Sequence, residues 1–229
     1  MSIVKKALIL FAKAPKSGKV KTRLQPYLSP DQASELYTAF VTDILEATAR
    51  LRGITRIVGC DPNGQDPFFQ SLAHRYELKL IHQHGANLGE RMQNAMTEAH
   101  RQGFDRVVII GTDSPTLPME FVRKAFLLLR TQELVLGPSH DGGYYLIGCR
   151  KSIPPVFEGI PWGTDRVLSM TLKRITDLKL KCALLPFWYD VDHIEDLRLL
   201  TAHLDYLDQQ TGGGVAPKTA RIIKAFKLE

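Results

Sequence analysis

The sequence has no long hydrophobic run and few cysteines, and each absence excludes a class of protein. Among its 229 residues, no apolar run reaches the length of about 18 residues that a membrane-spanning helix needs. The three cysteines, Cys60, Cys149 and Cys182, are odd in number and widely separated, which excludes a disulfide framework and a zinc motif. The opening segment MSIVKK lacks a signal-peptide pattern. We therefore expect a cytoplasmic protein that has no membrane partner.

Two common glycine motifs for phosphate binding are also missing. The pair Gly18-Lys19 is followed by Val20 instead of Ser or Thr, and Lys13 stands where a P-loop has its first glycine. No G-x-G-x-x-G follows the first predicted strand. The net charge is +6, but no helix face or repeat concentrates the basic residues, so nucleic acid is not the expected partner. Any phosphate site must therefore depend on side chains and loop amides.

A basic loop directly behind an apolar strand is the most informative feature that is present. Residues 7–12 read as a strand buried on both faces, and the next residues carry five cations: Lys13, Lys16, Lys19, Lys21 and Arg23. Cations at the carboxyl end of a buried strand predict a polyanionic ligand such as a phosphate chain, although a solvated basic loop is the alternative. Lys21 and Arg23 are the strongest phosphate candidates. Gly18 would let backbone amides approach the anion.

Strand and helix patterns alternate along the chain, which predicts an α/β sandwich with a mainly parallel sheet. The predicted strands are residues 7–12, 55–60, 78–82, 106–111, 134–137, 144–149 and 180–185. The predicted helices are residues 30–51, 68–76, 88–103, 118–130, 164–178 and 194–209. The short connection between the strands at 134–137 and 144–149 predicts a mixed sheet, because it has no room for a helical crossover. We expect one domain over residues 1–210, and a glycine-rich break with a basic tail over 211–229.

Aspartates stand at two positions where a cation could bind. One position follows a predicted strand, and the other precedes the last long helix. Asp113 comes directly after the most apolar strand, where it would bind Mg²⁺ or Mn²⁺ or hold a turn through backbone amides. Asp192 would bind the same cation, or cap the helix in a capping box closed by Glu195. Asp190 would point the same way on an extended segment. If Asp113 and Asp192 meet, their carboxylates repel each other by about 4 kcal/mol at contact distance, and a bound cation would remove this repulsion.

Three further segments allow both a functional and a structural interpretation. Asp141, followed by Gly142 and Gly143, would bind a sugar or act as a base, or the glycines would simply form a tight turn. Trp162 would stack on a base or pack in the core, and Thr164 would cap the following helix. Arg91 would reach a phosphate or nucleobase, or pair with its neighbour Glu90.

Six motifs occur in this order: FAKAPKSGKVKTRL, LGERM, GTDSP, GPSHDGGYYLIG, PWGT and DVDHIEDL. Together they resemble a bacterial family described as a domain of unknown function, DUF2064, whose members are also labelled radical-SAM/selenodomain-associated transferases. This family belongs to the glycosyltransferase-A, or nucleotide-diphospho-sugar transferase, superfamily. The resemblance covers about residues 7–200, and the first motif is also similar to 2-phospholactate guanylyltransferases. Asn87 departs from the family pattern, which has an aspartate there.

The resemblance implies a Rossmann-like three-layer α/β/α domain of the glycosyltransferase-A type. It implies that the nucleotide phosphates bind at matched positions of the first loop: Lys13, Gly18, Lys21 and Arg23. It implies a metal ion, Mg²⁺ or Mn²⁺, between Asp113 and Asp192. The segment from Asp141 to Gly143 would face the second substrate.

The residues and the resemblance together predict a metal-dependent transferase that uses a nucleotide-activated donor and a small-molecule acceptor. The main expectation is a glycosyltransferase acting on a nucleotide sugar, with Lys21, Asp113 and Asp141 as catalytic residues. The alternative is a nucleotidyltransferase that joins a nucleoside triphosphate to a phosphorylated acceptor and releases pyrophosphate. An alternative of another class is a nucleotide-binding module without turnover.

Overall fold

The computed structural model describes residues 4–212 and 214–226. Within these residues seven strands form one sheet: β1 (Lys6–Lys13), β2 (Thr55–Asp61), β3 (Lys79–His82), β4 (Arg106–Ile110), β5 (Leu134–Pro138), β6 (Tyr144–Arg150) and β7 (Cys182–Leu184). The α-helices are α1 (Pro30–Thr48), α2 (Pro67–Tyr76), α3 (Leu88–Arg101), α4 (Met119–Leu128), α5 (Val167–Asp177), α6 (Ile194–Thr211) and α7 (Pro217–Phe226). Gly213 of the predicted glycine break and Lys227 of the predicted basic tail lie outside the described residues.

The strands lie in the order β3-β2-β1-β4-β6-β5-β7. Strand β6 is antiparallel to β4 and β5, and the other pairs are parallel. This arrangement confirms the predicted α/β sandwich with a mixed, mainly parallel sheet. The chain adds β2 and β3 on one side of β1 and adds β4 and the later strands on its other side. The strand order therefore reverses between β1 and β4, which are parallel. Ligands of such sheets bind outside the carboxyl ends of the strands at this point.

Alternate side chains of the buried strands pack on opposite faces of the sheet. In β1, Leu8 and Leu10 pack with helices α1, α2 and α4, while Ala7 and Ile9 pack with α3 on the other face. A run that is apolar on both faces thus reflects helices on both faces. Each fully buried leucine or isoleucine contributes about 1.5–3 kcal/mol. The sheet is therefore a rigid base for the loops at its edge.

A third cluster of buried side chains joins helices α1, α6 and α7. The predicted capping box starts α1: the Ser29 hydroxyl accepts from the Gln32 amide at 3.2 Å, and the Gln32 side chain accepts from the Ser29 amide at 2.8 Å. Helix α7 contributes Ile223 to this cluster. At the start of α7, the backbone amides of Lys218 and Thr219 donate to the buried carboxylate of Asp43 in α1. The segment after the glycine break thus packs on α1, and the division of the chain at residue 210 stays a prediction.

None of the helices within residues 4–212 and 214–226 combines the length and the apolar character needed to cross a membrane.

Candidate active site

The loop after β1 brings Lys21 into the protein, although it is surrounded in sequence by exposed cations. Lys21 has left-handed backbone angles (φ 48°), and only 4% of its side chain is exposed. Its Nζ donates to the carbonyl oxygen of Val191 at 2.7 Å and to Oδ1 of Asp192 at 3.1 Å, and it also contacts Oδ1 of Asp113. The Phe40 ring lies on another side, 5.6 Å from Nζ. One ammonium group therefore bridges two carboxylates from distant parts of the chain.

A backbone hydrogen bond fixes the two carboxylates beside each other. The amide of Val191 donates to the carbonyl oxygen of Asp113 at 2.9 Å, which joins the loop after β4 to the segment before α6. The side chains of Asp113 and Asp192 are 42% and 35% exposed, so both remain accessible from solvent. Lys21 and these two aspartates therefore lie together at the carboxyl ends of the strands.

Burial and the two carboxylates act in opposite directions on Lys21. Desolvation disfavours the ammonium form, but the charges and hydrogen bonds of Asp113 and Asp192 outweigh it and raise the pKa of Lys21 above its ordinary value. For Asp192, burial alone would raise the pKa, and the nearby charges of Lys21 and Arg23 lower it overall. Lys21 and Asp192 therefore each favour the charged form in the presence of the other.

The other phosphate candidates of the first loop lie nearby but make different contacts. Arg23 is 59% exposed, and its Nη1 lies 3.1 Å from Oδ2 of Asp192. The Lys13 side chain is exposed at the end of β1, while its backbone amide donates to the Tyr37 hydroxyl at 2.9 Å. Gly18 has φ +74° and open space around it, so a glycine is required there by the turn itself. The loop therefore leaves Lys13 and Arg23 facing solvent around a buried Lys21.

Tyr37 is a contributor to this edge that the sequence did not reveal. Its hydroxyl lies 2.9 Å from the Thr112 hydroxyl and also accepts from the Lys13 amide. Burial, followed by the charge of Asp113, raises its pKa to about 12. The hydroxyl of this buried side chain links the ends of β1 and β4.

Asp190 joins the loop after β5 to the loop after β4. The hydroxyls of Ser114 and Ser139 donate to its two carboxylate oxygens, the second at 2.8 Å. Burial raises the pKa of Asp190 to about 6, and the charges of Asp113 and Asp141 act in the same direction. Its position two residues before Asp192 was the only sequence signal, because both serines come from other parts of the chain.

The glycine segment after β5 forms a tight turn against the protein itself. The Asp141 carboxylate is exposed and accepts from the Gly143 amide at 2.9 Å. Gly142 has φ +86°, and a Cβ there would lie 2.1 Å from the carbonyl oxygen of Asp165. Backbone of the chain therefore occupies the space beside Gly142. A ligand role for Asp141, Gly142 and Gly143 stays a prediction.

The predicted helix caps near the site are wrong in two places. The amides of Asp192 and His193 donate to the carboxylate of Asp196, so Asp192 does not start α6 and Glu195 does not close a box. Helix α5 begins at Val167, and the Thr164 hydroxyl instead accepts from the Arg166 amide in a preceding turn. These caps depend on local backbone angles that side-chain type alone does not determine.

Arg91 and Trp162, whose roles the sequence left open, each contact another part of the protein. Arg91 donates to Asp61 at the end of β2, with 3.1 Å between Nη1 and Oδ2, and the expected pair with Glu90 does not form. Trp162 packs on α3, where a Cβ on Gly89 would lie 2.4 Å from its ring. Asn87 starts α3 by accepting from the Glu90 amide at 3.0 Å, which an aspartate would do equally well.

The residues present fit a hard divalent cation of the Mg²⁺ or Mn²⁺ type. No group of three or more His, Cys, Asp or Glu side chains is arranged as a closed metal site within the described ranges 4–212 and 214–226. Mg²⁺ does not need one, because it usually binds one or two carboxylates together with substrate phosphates and water. Asp113 and Asp192 are two adjacent, partly exposed carboxylates. They are the donors that would hold such an ion.

Comparisons with known proteins agree with this architecture. Residues 44–164 match the family model described as an uncharacterized protein conserved in bacteria, DUF2064. A crystal structure from Desulfovibrio desulfuricans G20, provisionally named a nucleotide-diphospho-sugar transferase, shares 34% identity at a TM-score of 0.86, covering 98% of this chain and 99% of that one.

Two curated relatives are more distant. The 2-phospho-L-lactate guanylyltransferase of Methanothermobacter thermautotrophicus is 26% identical over 191 residues, which is 80% of this chain and 79% of the relative. The phosphoenolpyruvate guanylyltransferase of Sphaerobacter thermophilus is 26% identical over 140 residues, which is 60% of this chain and 66% of the relative. These relatives confirm the expectation of a transferase. The chain belongs to the DUF2064 family, and its fold is that of the nucleotide-diphospho-sugar transferases.

Proposed function

We propose that this protein is a metal-dependent nucleotidyltransferase. Its donor would be a nucleoside triphosphate, its acceptor a phosphorylated small molecule, and its second product pyrophosphate. The observation that carries the proposal is the buried ammonium of Lys21 between Asp113 and Asp192, with Arg23 beside them. Cations and partly exposed carboxylates at one edge of the sheet suit a polyphosphate bound together with a divalent metal.

The names of the two curated relatives favour nucleotidyl transfer over the glycosyl transfer expected first. Both are guanylyltransferases, and their names specify 2-phospholactate and phosphoenolpyruvate as acceptors. Each of those acceptors is a carboxylic acid that carries a phosphate. We therefore take guanosine triphosphate as the first donor to test and a phosphorylated carboxylic acid as the first acceptor class.

The proposed reaction is a displacement at the α-phosphorus of the nucleotide. An oxygen of the acceptor phosphate forms a bond to this phosphorus, and the bond from it to the oxygen that bridges to the β-phosphorus breaks. Pyrophosphate leaves with the electron pair, and the product contains a new diphosphate linkage. Because the attacking phosphate oxygen is already ionised, this reaction needs no protein base.

The role of Lys21 and Arg23 would be electrostatic. Charge accumulates on the oxygens of the α-phosphorus and of the leaving pyrophosphate during the displacement. A cation already fixed by a buried hydrogen-bond network stabilises such charge without reorganising during the reaction. Asp113 and Asp192 would hold Mg²⁺ or Mn²⁺, which supplies neutralisation of the phosphate oxygens.

Glycosyl transfer from a nucleotide sugar is the second candidate. It is favoured by the name given to the structural relative that is 34% identical. In that reaction an acceptor hydroxyl attacks the sugar carbon and a nucleoside diphosphate leaves. The hydroxyl must lose a proton, and the exposed Asp141 would be the base.

Measuring the two leaving groups in parallel separates the candidates. The protein is incubated with Mg²⁺ or Mn²⁺ and each nucleoside triphosphate plus a phosphorylated carboxylic acid, and pyrophosphate is measured. A second series supplies nucleotide sugars with hydroxyl acceptors, and nucleoside diphosphate is measured. The proposal predicts acceptor-dependent pyrophosphate release that falls at least about 100-fold in Asp113→Asn. Nucleoside diphosphate release alone would favour glycosyl transfer, and binding without any turnover would favour the nucleotide-binding module.

A further inference from the structure

A second cationic site lies at the amino ends of the central strands, whereas Lys21 lies at their carboxyl ends. A cavity of about 770 Å³ opens where β1 and β4 begin. Its lining includes six cations: Lys6, Arg50, Arg52, Arg106, Arg123 and Arg130. Strand β1 carries Lys6 at its start and Lys13 at its end, which are about 23 Å apart at 3.3 Å per residue. A small ligand in this cavity therefore cannot reach the proposed catalytic loops.

The positive charge of this cavity is not neutralised by neighbouring acids. Of the described residues that line it, none is acidic, and none of the six cations forms an ion pair within residues 4–212 and 214–226. Asp105 is adjacent and interacts electrostatically with Arg106, but its carboxylate already accepts from the Lys5 amide at 2.8 Å. One nearby carboxylate leaves most of the six charges without compensation.

The helices α1 and α4 end beside the cavity, and their dipoles account for only part of the charge. Arg50 follows the end of α1, and Arg130 follows the end of α4. Each helix carboxyl end contributes roughly half a negative charge. Two such ends and Asp105 together offset about two of the six positive charges. The arrangement thus exceeds what helix capping explains.

Burial and neighbouring positive charges both act on Arg106. Burial, and then the charges of Arg130 and Arg150, lower the pKa of Arg106 from its ordinary value. Its Nη1 donates to the carbonyl oxygen of Phe126 at 3.4 Å, and Arg150 donates to the carbonyl oxygen of Arg130 at 2.9 Å. Of these two arginines only Arg106 lines the cavity, and because a backbone carbonyl holds its guanidinium group, its charge remains available to an anion.

The remaining lining of the cavity is apolar, and the cavity has the size of a small-molecule site. Leu51, Ile54 and Phe126 contribute hydrocarbon surface between the cations. Ligand sites of proteins have volumes of about 300–1,000 Å³ and combine apolar walls with a few polar groups. Guanidinium groups bind phosphate oxygens in pairs. We infer that this cavity binds a phosphorylated small molecule that also carries an apolar or aromatic part, the chemical class that includes nucleotides, at a site separate from catalysis.

Variants of exposed cations test this inference without disturbing the core. Arg52→Ala/Arg123→Ala removes two exposed cavity cations, and Lys124→Ala/Arg221→Ala removes two exposed cations elsewhere. Lys124 is next to Arg123 on the same helix but does not line the cavity. Equal thermal unfolding curves of the two double variants establish that both are folded. A third variant, Arg23→Ala, weakens the proposed catalytic loop instead.

Calorimetric titration in the presence of a metal chelator then counts the sites, with inorganic tripolyphosphate and ATP as probes. We expect the cavity variant to bind both probes at least tenfold more weakly at one site, and the Lys124→Ala/Arg221→Ala control to bind like the wild type. The cavity site is expected to survive in Arg23→Ala and to bind ATP more tightly than tripolyphosphate. Unchanged affinity and stoichiometry in the cavity variant, or an equal loss in the control, would overturn the inference. Pyrophosphate release plays no part in this measurement, so failure of the proposed catalytic function leaves its result unaffected.

Discussion

Lys21 donates a hydrogen bond to Asp192, which lies 171 residues later in the chain, with 3.1 Å between Nζ and Oδ1. Neither residue belongs to a strand, so the sheet alone does not bring them together. The contact joins the first loop to the segment before α6, and the same ammonium reaches Asp113 after β4. Three separate segments thus converge on one buried charge, and the proposed function depends on this convergence.

Replacing Lys21 by alanine should abolish activity and reduce stability. The change leaves Asp113 and Asp192 without their shared cation. Because both carboxylates are partly exposed, we expect a loss of at most about 3 kcal/mol in the free energy of unfolding, the lower end for a broken buried ion pair. Urea unfolding measures this loss, and pyrophosphate release measures activity.

Lys19→Ala is the matched control for that change. Lys19 belongs to the same loop and is exposed, so its removal should alter stability by no more than about 0.5 kcal/mol. Equal effects of the two substitutions on unfolding would mean that Lys21 is not held by the carboxylates.

Asp141→Asn should separate the two candidate chemistries. Asparagine can still accept from the Gly143 amide, so the turn is expected to remain. Nucleotidyl transfer requires no base, and we predict a change in kcat of less than about threefold. A loss of about 100-fold or more is the effect expected of a removed general base, and it would point to glycosyl transfer instead.

His100 should make the protein less stable as the pH falls. Burial lowers the pKa of this side chain, although the nearby Phe104 carbonyl and Asp105 act in the opposite direction. In the unfolded chain the His100 side chain therefore takes up a proton near pH 6.5, whereas in the folded protein it is still neutral at that pH. Stability is therefore lost on acidification. Urea unfolding at pH 7.5 and pH 5.5 should show a smaller difference for His100→Gln than for the wild type.

The exposed His74 provides the comparison for this pH effect. His74→Gln should retain the full wild-type difference between the two pH values. An unchanged difference in His100→Gln would show that other groups control the acid sensitivity.

Asp43→Ala should weaken the attachment of α7. The Asp43 carboxylate accepts from the amides of Lys218 and Thr219 at 3.2 and 2.7 Å, which is the role of a helix cap supplied by another helix. Losing such a cap costs about 1–2 kcal/mol. Asp31→Ala, at an exposed position of the same helix, should have little effect on urea unfolding. If Asp43→Ala unfolds like Asp31→Ala, α7 does not depend on this contact.

The order and type of the elements could be predicted from the sequence because they depend on local patterns. Apolar runs and helical spacing identified every strand and helix that forms the sandwich, with ends displaced by a few residues. The short link between β5 and β6 was enough to predict the antiparallel strand. The start of α5 was missed because Thr164 forms a turn with Arg166 instead of a cap.

The sequence was enough to predict which loops form the candidate site, but not how their side chains contact each other. Chemistry and position indicated Lys21, Asp113 and Asp192, but the burial of Lys21 depends on Val191 and Phe40, which come from distant segments. The two serines on Asp190 are likewise far away in the chain. Spacing along the chain contains no information about such contacts, and the same limit explains why Arg91 pairs with Asp61 and not with Glu90.

Following the α-phosphorus of the nucleotide tests the central claim most directly. The protein is incubated with Mg²⁺, a phosphorylated carboxylic acid and a nucleoside triphosphate labelled at its α-phosphate, and the products are separated. We predict that the label appears in a new diphosphate-linked product in amounts equal to the pyrophosphate released, and that Asp113→Asn lowers both at least about 100-fold. Label that remains in the triphosphate with every such acceptor, or equal product formation by Asp113→Asn, would contradict the account.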